Sequence, residues 1–123
     1  MDPQHDRALQ HPPLASGATE GTMLLTIVMQ HHAGLTLEDV QSRMKASGWW
    51  ERFPPEGVRI VCWTVAMGLG QIVTLALQAH LLPVVNLELE RSAWGVFTTE
   101  CFPSYDFVPV RERIRERVRN GGQ

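Results

Sequence analysis

The apolar residues of the chain fall into segments whose spacing alternates between that of strands and that of helices. A strand-like run over Met23–Gln30 is followed by a helical pattern from Leu37, and two further strand-like runs flank Gly68. A segment near Leu81–Ala93 and a last strand near Gly95–Phe102 complete the series. The order β-α-β-β-α-β is that of split βαβ units, in which two helices cover one face of a sheet. The pattern therefore predicts an α+β fold with one antiparallel four-stranded sheet.

Cap and turn residues mark the ends of the first helix. The Thr36 side chain can accept a hydrogen bond from a backbone N–H of the first turn, and the Asp39 side chain can accept one from the Thr36 N–H, which predicts a capping box. Leu37, Val40 and Met44 recur at helical spacing as its buried stripe, and Gly48 is the expected stop.

The clearest hairpin pairs Val58–Met67 with Leu69–Gln78, because Gly68 and Gly70 suit the positive φ angles of a tight turn. Strict alternation on its first arm places two sets of residues on opposite faces: Val58, Ile60, Cys62 and Thr64 on one, and Arg59, Val61, Trp63 and Val65 on the other. Both faces are largely apolar. We therefore expect each to be covered by something other than water.

The segment Ala79–Ala93 fits both a strand period and a helical face. We favour a helix with Pro83 in its first turn, because a crossover is needed there to close the sheet. Pro103 is expected to end the last strand, and Pro109–Asn120 to form a basic C-terminal helix. Its thin apolar stripe predicts docking on the domain or on a second subunit, with nucleic-acid binding as the alternative.

These elements predict three parts: a flexible N-terminal tail at residues 1–21, one α+β domain at 22–107 and a basic C-terminal helix and tail at 108–123. The net charge of −2 provides no strong field toward nucleic acid or anionic lipid, so we expect neither as a partner. No run approaches the roughly 18 uninterrupted apolar residues of a membrane helix. We expect a cytoplasmic protein with two reduced, buried thiols, Cys62 and Cys101.

The stretch from Glu90 to Pro103, ERSAWGVFTTECFP, is similar to the passage from the second helix into the last strand of the dimeric α/β-barrel superfamily. With the element order and the apolar hairpin, it makes residues 22–107 resemble these ferredoxin-like proteins, which include muconolactone isomerases and cofactor-independent antibiotic-biosynthesis monooxygenases. The resemblance implies a homodimer in which two sheets pack face to face, with a small-molecule pocket between each sheet and its own helices. Since it is a resemblance of fold, no catalytic residue is carried over.

Histidine is the first candidate for chemistry, because its ordinary pKa lets it take and give a proton near neutrality. His31 and His32 end the first strand, where an extended chain points them to opposite faces, so at most one can face a pocket. Glu100 interrupts an apolar strand, as a buried acid or base or as a solvated residue of an edge strand. Asp106 is either a catalytic complement or a turn residue.

Aromatic side chains provide the candidate substrate-binding residues Trp50, Trp63, Trp94 and Tyr105. A tryptophan offers a flat apolar wall with one N–H donor, although packing is its commoner use. We expect Trp63 in the core or barrel interior and Trp50 at a pocket mouth.

Three hypotheses follow. The first is a cofactor-independent enzyme, an isomerase or cyclase moving a proton on an apolar, aromatic or polyketide-like substrate. The second is a non-catalytic dimeric ligand-binding protein. The third is a cofactor-free monooxygenase or a haem-binding member of the same fold, with His32 or His80 as axial ligand. We expect no metal and no cofactor in the first two.

Overall fold

The computed structural model of the protein describes residues 21–121, so the predicted N-terminal tail lies outside the described residues except for Gly21. Within this range the strands are β1 (Thr22–His31), β2 (Arg59–Ala66), β3 (Gly70–Gln78) and β4 (Phe97–Ser104). The α-helices are α1 (Leu37–Ser47), α2 (Trp49–Arg52), α3 (Leu82–Glu88) and α4 (Val108–Arg119). A 3-10 turn at Ala79–Leu81 precedes α3, and a π-helical turn at Leu89–Ala93 follows it.

The four strands form one antiparallel sheet in the order β2-β3-β1-β4. The predicted α+β fold with a four-stranded antiparallel sheet is therefore confirmed. Residues 79–93 are helical, as favoured, and Pro83 lies in the first turn of α3. Each of the two crossovers joins strands that are separated by one other strand.

The hydrophobic core lies between one face of the sheet and the helices α1 to α3. Leu25, Ile27 and Met29 alternate along β1 and are buried on this face. Leu75 and Val73, the register partners of Leu25 and Ile27 on β3, are buried beside them. The core is completed from β3, the helices and β4 by a further set of buried residues: Val73, Leu75, Leu77, Val40, Met44, Trp49, Val85, Leu89, Ala93 and Phe97.

The opposite side of the sheet, which we call the second face, carries a small apolar cluster among threonine, glutamine and charged side chains, the last including Arg59 and Glu100. Its buried cluster consists of Val61 and Ala76 with Leu24 against them, so among residues 21–121 only strands contribute to it. On this face the Thr26 hydroxyl is hydrogen-bonded to the hydroxyls of Thr74 at 3.2 Å and Ser104 at 2.6 Å, which links β1 to both of its neighbouring strands.

The predicted ends of α1 are confirmed. The Thr36 hydroxyl accepts a hydrogen bond from the Asp39 backbone N–H, and the Asp39 carboxylate accepts one from the Thr36 N–H, both at 3.0 Å. The Thr36 hydrogen bonds lower the pKa of Asp39. Gly48 ends the helix in the left-handed conformation, with φ of 82°.

The strict alternation predicted for β2 is wrong beyond Ile60. The register shifts between Ile60 and Cys62, so Val61 is an extra residue in a β-bulge. Consequently Ile60 and Trp63 both pack against the helix-side core, whereas Val61 joins the second face.

Two predictions about β4 are also corrected, both because β4 lies at an edge of the sheet. Pro103 does not end the strand but pairs with Leu25 inside it, which an edge tolerates because the missing N–H needs no partner there. Cys101 is exposed rather than buried, and Cys62 is half-buried; both thiols are free. Partial desolvation raises the pKa of the Cys101 thiol.

Helix α4 has no buried residue. Ile114 and Val118 of its stripe are 39% and 64% exposed, so the rest of the described chain does not cover the stripe. Each helix within residues 21–121 is too short or too polar to cross a lipid bilayer.

Candidate functional site

A cavity of about 540 Å³ opens between α1 and the end of the sheet where β1 stops and the β2–β3 hairpin turns. This volume lies within the range of small-molecule sites. Its inner wall is formed by buried side chains: Met29, Val40, Met44, Trp49 and Phe97. Its rim is formed by exposed apolar side chains: Leu37, Trp50, Val65 and Leu69. The rim also carries the exposed polar side chains Gln30, His31 and Gln41, whereas the interior is apolar.

In the part of the chain that the structure describes, the polar lining is sparse and includes no carboxylate, lysine or arginine. Beside apolar residues and glycines, the lining includes Gln30, His31, Gln41 and Gln71. Among the described lining residues only the His31 side chain can exchange a proton near neutrality. The cavity thus suits an uncharged ligand.

His31 reaches the cavity because it is the last residue of β1. It pairs with Phe97 of β4, and the two rings pack with centroids 5.2 Å apart. His32 leaves the strand: its backbone N–H donates to the Val96 carbonyl at 3.1 Å, and its side chain is not part of the lining. The structure therefore brings one histidine of the pair to the cavity.

Trp49, Trp50 and Phe97 form what we call the aromatic wall of the cavity. The buried Trp49 stacks on Phe53 with centroids 4.2 Å apart and planes 10° from parallel. Trp50, its neighbour on α2, is 61% exposed at the rim. A ligand can thus contact one fixed indole and one exposed indole.

Trp63 lies behind this wall rather than in the lining. It meets Trp49 and Phe53 edge-on, with centroids 6.3 Å and 5.5 Å away. Its indole N–H donates to Oε1 of Gln71 at 2.7 Å. Sequence reasoning missed Gln71, because β3 also carries Gln78 and nothing in the sequence singles out one of the two amides.

The other predicted site residues lie outside the cavity lining. Glu100 is exposed on β4, and its register with Val28 puts it on the second face. The Asp106 carboxylate accepts a hydrogen bond from the Val108 backbone N–H at 3.0 Å, in the turn that precedes α4. Trp94 and Tyr105 are 51% and 75% exposed. The structure does not join either carboxylate with His31 in the cavity.

A partly buried polar cluster of Arg52, Glu88 and Ser92 fixes α2, which carries Trp49 and Trp50. The Arg52 Nε donates to the Glu88 carboxylate at 3.0 and 3.3 Å, and its terminal nitrogen donates to the Ser92 hydroxyl at 3.0 Å. Ser92 in turn donates to Glu88 at 2.5 Å. Burial opposes ionisation of Glu88, but the hydrogen bonds from Arg52 and Ser92 outweigh it, so the pKa of Glu88 is lowered. The cluster therefore ties α2 to α3 through an ionised carboxylate.

Within residues 21–121, no three side chains of the His, Cys, Asp and Glu types converge as a metal site requires. The suggested axial ligands His32 and His80 do not line the cavity.

Comparison with known protein families, with curated proteins and with solved structures gave no match to this chain.

Proposed function

We propose that this chain is a cofactor-independent enzyme that moves a proton on a small, uncharged, apolar or aromatic substrate bound between the sheet and α1. The observation that carries the proposal is the cavity itself, whose lining is apolar except for amides and one histidine, His31. Apolar walls with a few placed polar groups are typical of small-molecule sites.

The separation of His31 from Glu100 and Asp106 limits the reaction types that the cavity can support. A mechanism with a histidine base and a carboxylic acid needs both at the substrate, and neither carboxylate lines this cavity. One residue can serve alone when it takes a proton from one carbon and returns it to another. An isomerisation of that kind is therefore the reaction we propose, with His31 as the acid-base residue.

A non-catalytic ligand-binding protein is the second candidate. Catalytic bases are commonly oriented by a hydrogen-bonded third group. The described contact of the His31 ring is with Phe97, which cannot orient it in that way. This observation favours binding without turnover.

The proposed architecture is a ferredoxin-like domain that forms a homodimer through its second face. The β-α-β-β-α-β element order and the sheet order β2-β3-β1-β4 support the fold. The apolar cluster of the second face, which the described helices leave uncovered, supports the dimer. The cavity lies on the other side of the sheet, so each copy would keep its own site.

Hydrogen exchange of a neutral aromatic ketone tests the enzymatic proposal. 2-Tetralone would be incubated with the protein in D₂O, and loss of its α-proton signals would be followed by NMR. We expect exchange above the buffer rate, and a loss of at least roughly 100-fold in His31→Gln, because that is the usual contribution of an acid-base group. His80→Gln, an exposed histidine outside the lining, is the matched control and should exchange at the wild-type rate.

The two candidates predict different outcomes. Binding of 2-tetralone that shifts the indole resonance of Trp50 without any protein-dependent exchange would reject the enzyme in favour of the binding protein. Exchange that survives in His31→Gln would reject His31 as the acid-base residue.

A further inference from the structure

Gln71 is a polar side chain in the cavity whose orientation is fixed by a neighbour. An indole N–H can only donate, so the 2.7 Å hydrogen bond from Trp63 requires the oxygen of the Gln71 amide to face the indole. The amide NH₂ group must then point away from Trp63. Within residues 21–121 this NH₂ group has no protein acceptor.

Unpaired donors in a partly buried site are costly unless something accepts from them. Gln71 lines the cavity and is half-buried, so the acceptor can be a bound ligand. A carboxylate ligand is disfavoured, because among residues 21–121 no lysine or arginine lines the cavity to compensate its charge. The neutral acceptor that suits an amide donor among aromatic rings is a carbonyl-type oxygen.

We propose that Gln71 selects ligands that carry a carbonyl oxygen on a flat, uncharged ring system, and that Trp63 acts as its positioning residue. This inference rests on the proposed function, since it names the ligand class of the same cavity. The aromatic wall receives the rings, and the Gln71 NH₂ group donates to the oxygen.

The sheet register places this oxygen site near His31. Gln71 pairs with Met29, and His31 lies two residues further along the same face of β1. Diagonal neighbours of this kind on adjacent strands are about 7–8 Å apart, which leaves room for a carbonyl and its adjacent carbon. In a ligand with a β,γ double bond, His31 can take the proton from the α-carbon; the C–H electron pair then forms a new C=C bond and the π pair of the carbonyl moves to the oxygen. The Gln71 donors stabilise the negative charge on that oxygen. Return of the proton from His31 to the γ-carbon re-forms the carbonyl, leaves the double bond in the α,β position and completes the isomerisation.

Two probes of the same skeleton isolate the proposed hydrogen bond. 9-Fluorenone and fluorene are flat three-ring molecules that differ by a carbonyl in place of a methylene group. Their dissociation constants would be measured by fluorescence titration, and the infrared carbonyl stretch of bound fluorenone would report its hydrogen bond directly. Movement of the Trp50 indole NMR signal, with the Trp94 signal unchanged, would locate both probes in the cavity.

We expect fluorenone to bind wild-type protein about three- to tenfold tighter than fluorene, the usual effect of one neutral hydrogen bond. Gln71→Met should abolish this preference and the infrared shift while fluorene affinity stays unchanged, which also shows that the cavity is intact. Trp63→Phe keeps an aromatic ring but frees the amide, so it should reduce the preference and broaden the carbonyl band.

Three results would overturn the inference. If both probes bind the wild-type cavity equally, or if Gln71→Met retains the preference, Gln71 does not select the carbonyl and the proposed function stands. If neither probe moves the Trp50 signal, the cavity does not bind flat apolar molecules, and the proposed function fails together with the inference.

Discussion

Arg52 is the residue that holds α2, and with it Trp49 and Trp50, against α3. Its partner Glu88 is 6% exposed, so removing the guanidinium leaves a buried carboxylate without its main donor. We predict that Arg52→Ala lowers the free energy of unfolding by about 2 kcal/mol at neutral pH, less than for a fully buried pair because Arg52 is partly exposed. Urea unfolding measures this change. Arg91→Ala is the matched control, since Arg91 attracts Glu88 without a hydrogen bond.

The same cluster predicts the direction of the pH dependence. The pKa of Glu88 is lowered in the folded state, so its contribution is fully present above the ordinary glutamate value of about 4.3. It is lost as the pH falls through the folded-state value. The difference between wild type and Arg52→Ala should therefore shrink in acid, and an equal difference at neutral pH and in strong acid would contradict this account.

The candidate site was only partly predictable residue by residue. Alternation along a strand implied that one of His31 and His32 could face a pocket, and the position of Trp50 beside the proline loop suggested a rim. The roles assigned to these residues stay predictions. Gln71 was not predictable in the same way, because its orientation depends on a hydrogen bond from another strand. Glu100 was a candidate acid or base because the sequence does not reveal the strand order, and that order puts β4 at the edge of the sheet, where Glu100 is exposed.

The β2–β3 hairpin is pressed against β1 at Gly70. A Cβ at Gly70 would collide with the Met29 backbone carbonyl, and φ there is 140°. Gly68, in the same turn, has φ of 86° but open space around it. We predict that Gly70→Ala costs clearly more than the about 1 kcal/mol expected from a positive φ alone, whereas Gly68→Ala costs only that amount. Thermal unfolding of both variants checks the difference, and equal losses would show that the close approach to β1 does not matter.

Whole elements were more predictable than their details. Periodicity and caps predicted β1, α1 and the hairpin, because these signals are local. The bulge at Val61 was missed, since an extra residue leaves no trace in composition and reverses the faces of all later residues in the strand. Pro103 was taken as a strand end because its cost depends on whether a neighbouring strand needs its N–H, which is a property of the sheet.

In the molecule as a whole, two apolar surfaces are left uncovered by the described residues. One is the set of apolar side chains on the second face of the sheet, of which Phe102 is 48% exposed. The other is the stripe of α4, a twelve-residue helix that would be marginal in water without packing. A second copy of the chain could cover both, because sheet faces pack against each other about 10 Å apart. The proposed homodimer would use the first of these surfaces.

The dimer can be tested with a charge at the centre of the second face. Val28 lies between Ile72 of β3 and Glu100 of β4. A lysine there can pair with Glu100 in a single copy, so Val28→Lys should still fold, but in a sheet-to-sheet dimer it would bury a charge. We predict that light scattering gives the wild type twice the 13.8 kDa of one chain and Val28→Lys the mass of one. Val84→Lys, at an exposed position of α3, should stay dimeric. If instead the wild type has the mass of one chain at millimolar concentration, the second face does not pack against a second copy. The proposed barrel architecture would then be wrong, and the cavity on the other side of the sheet would remain.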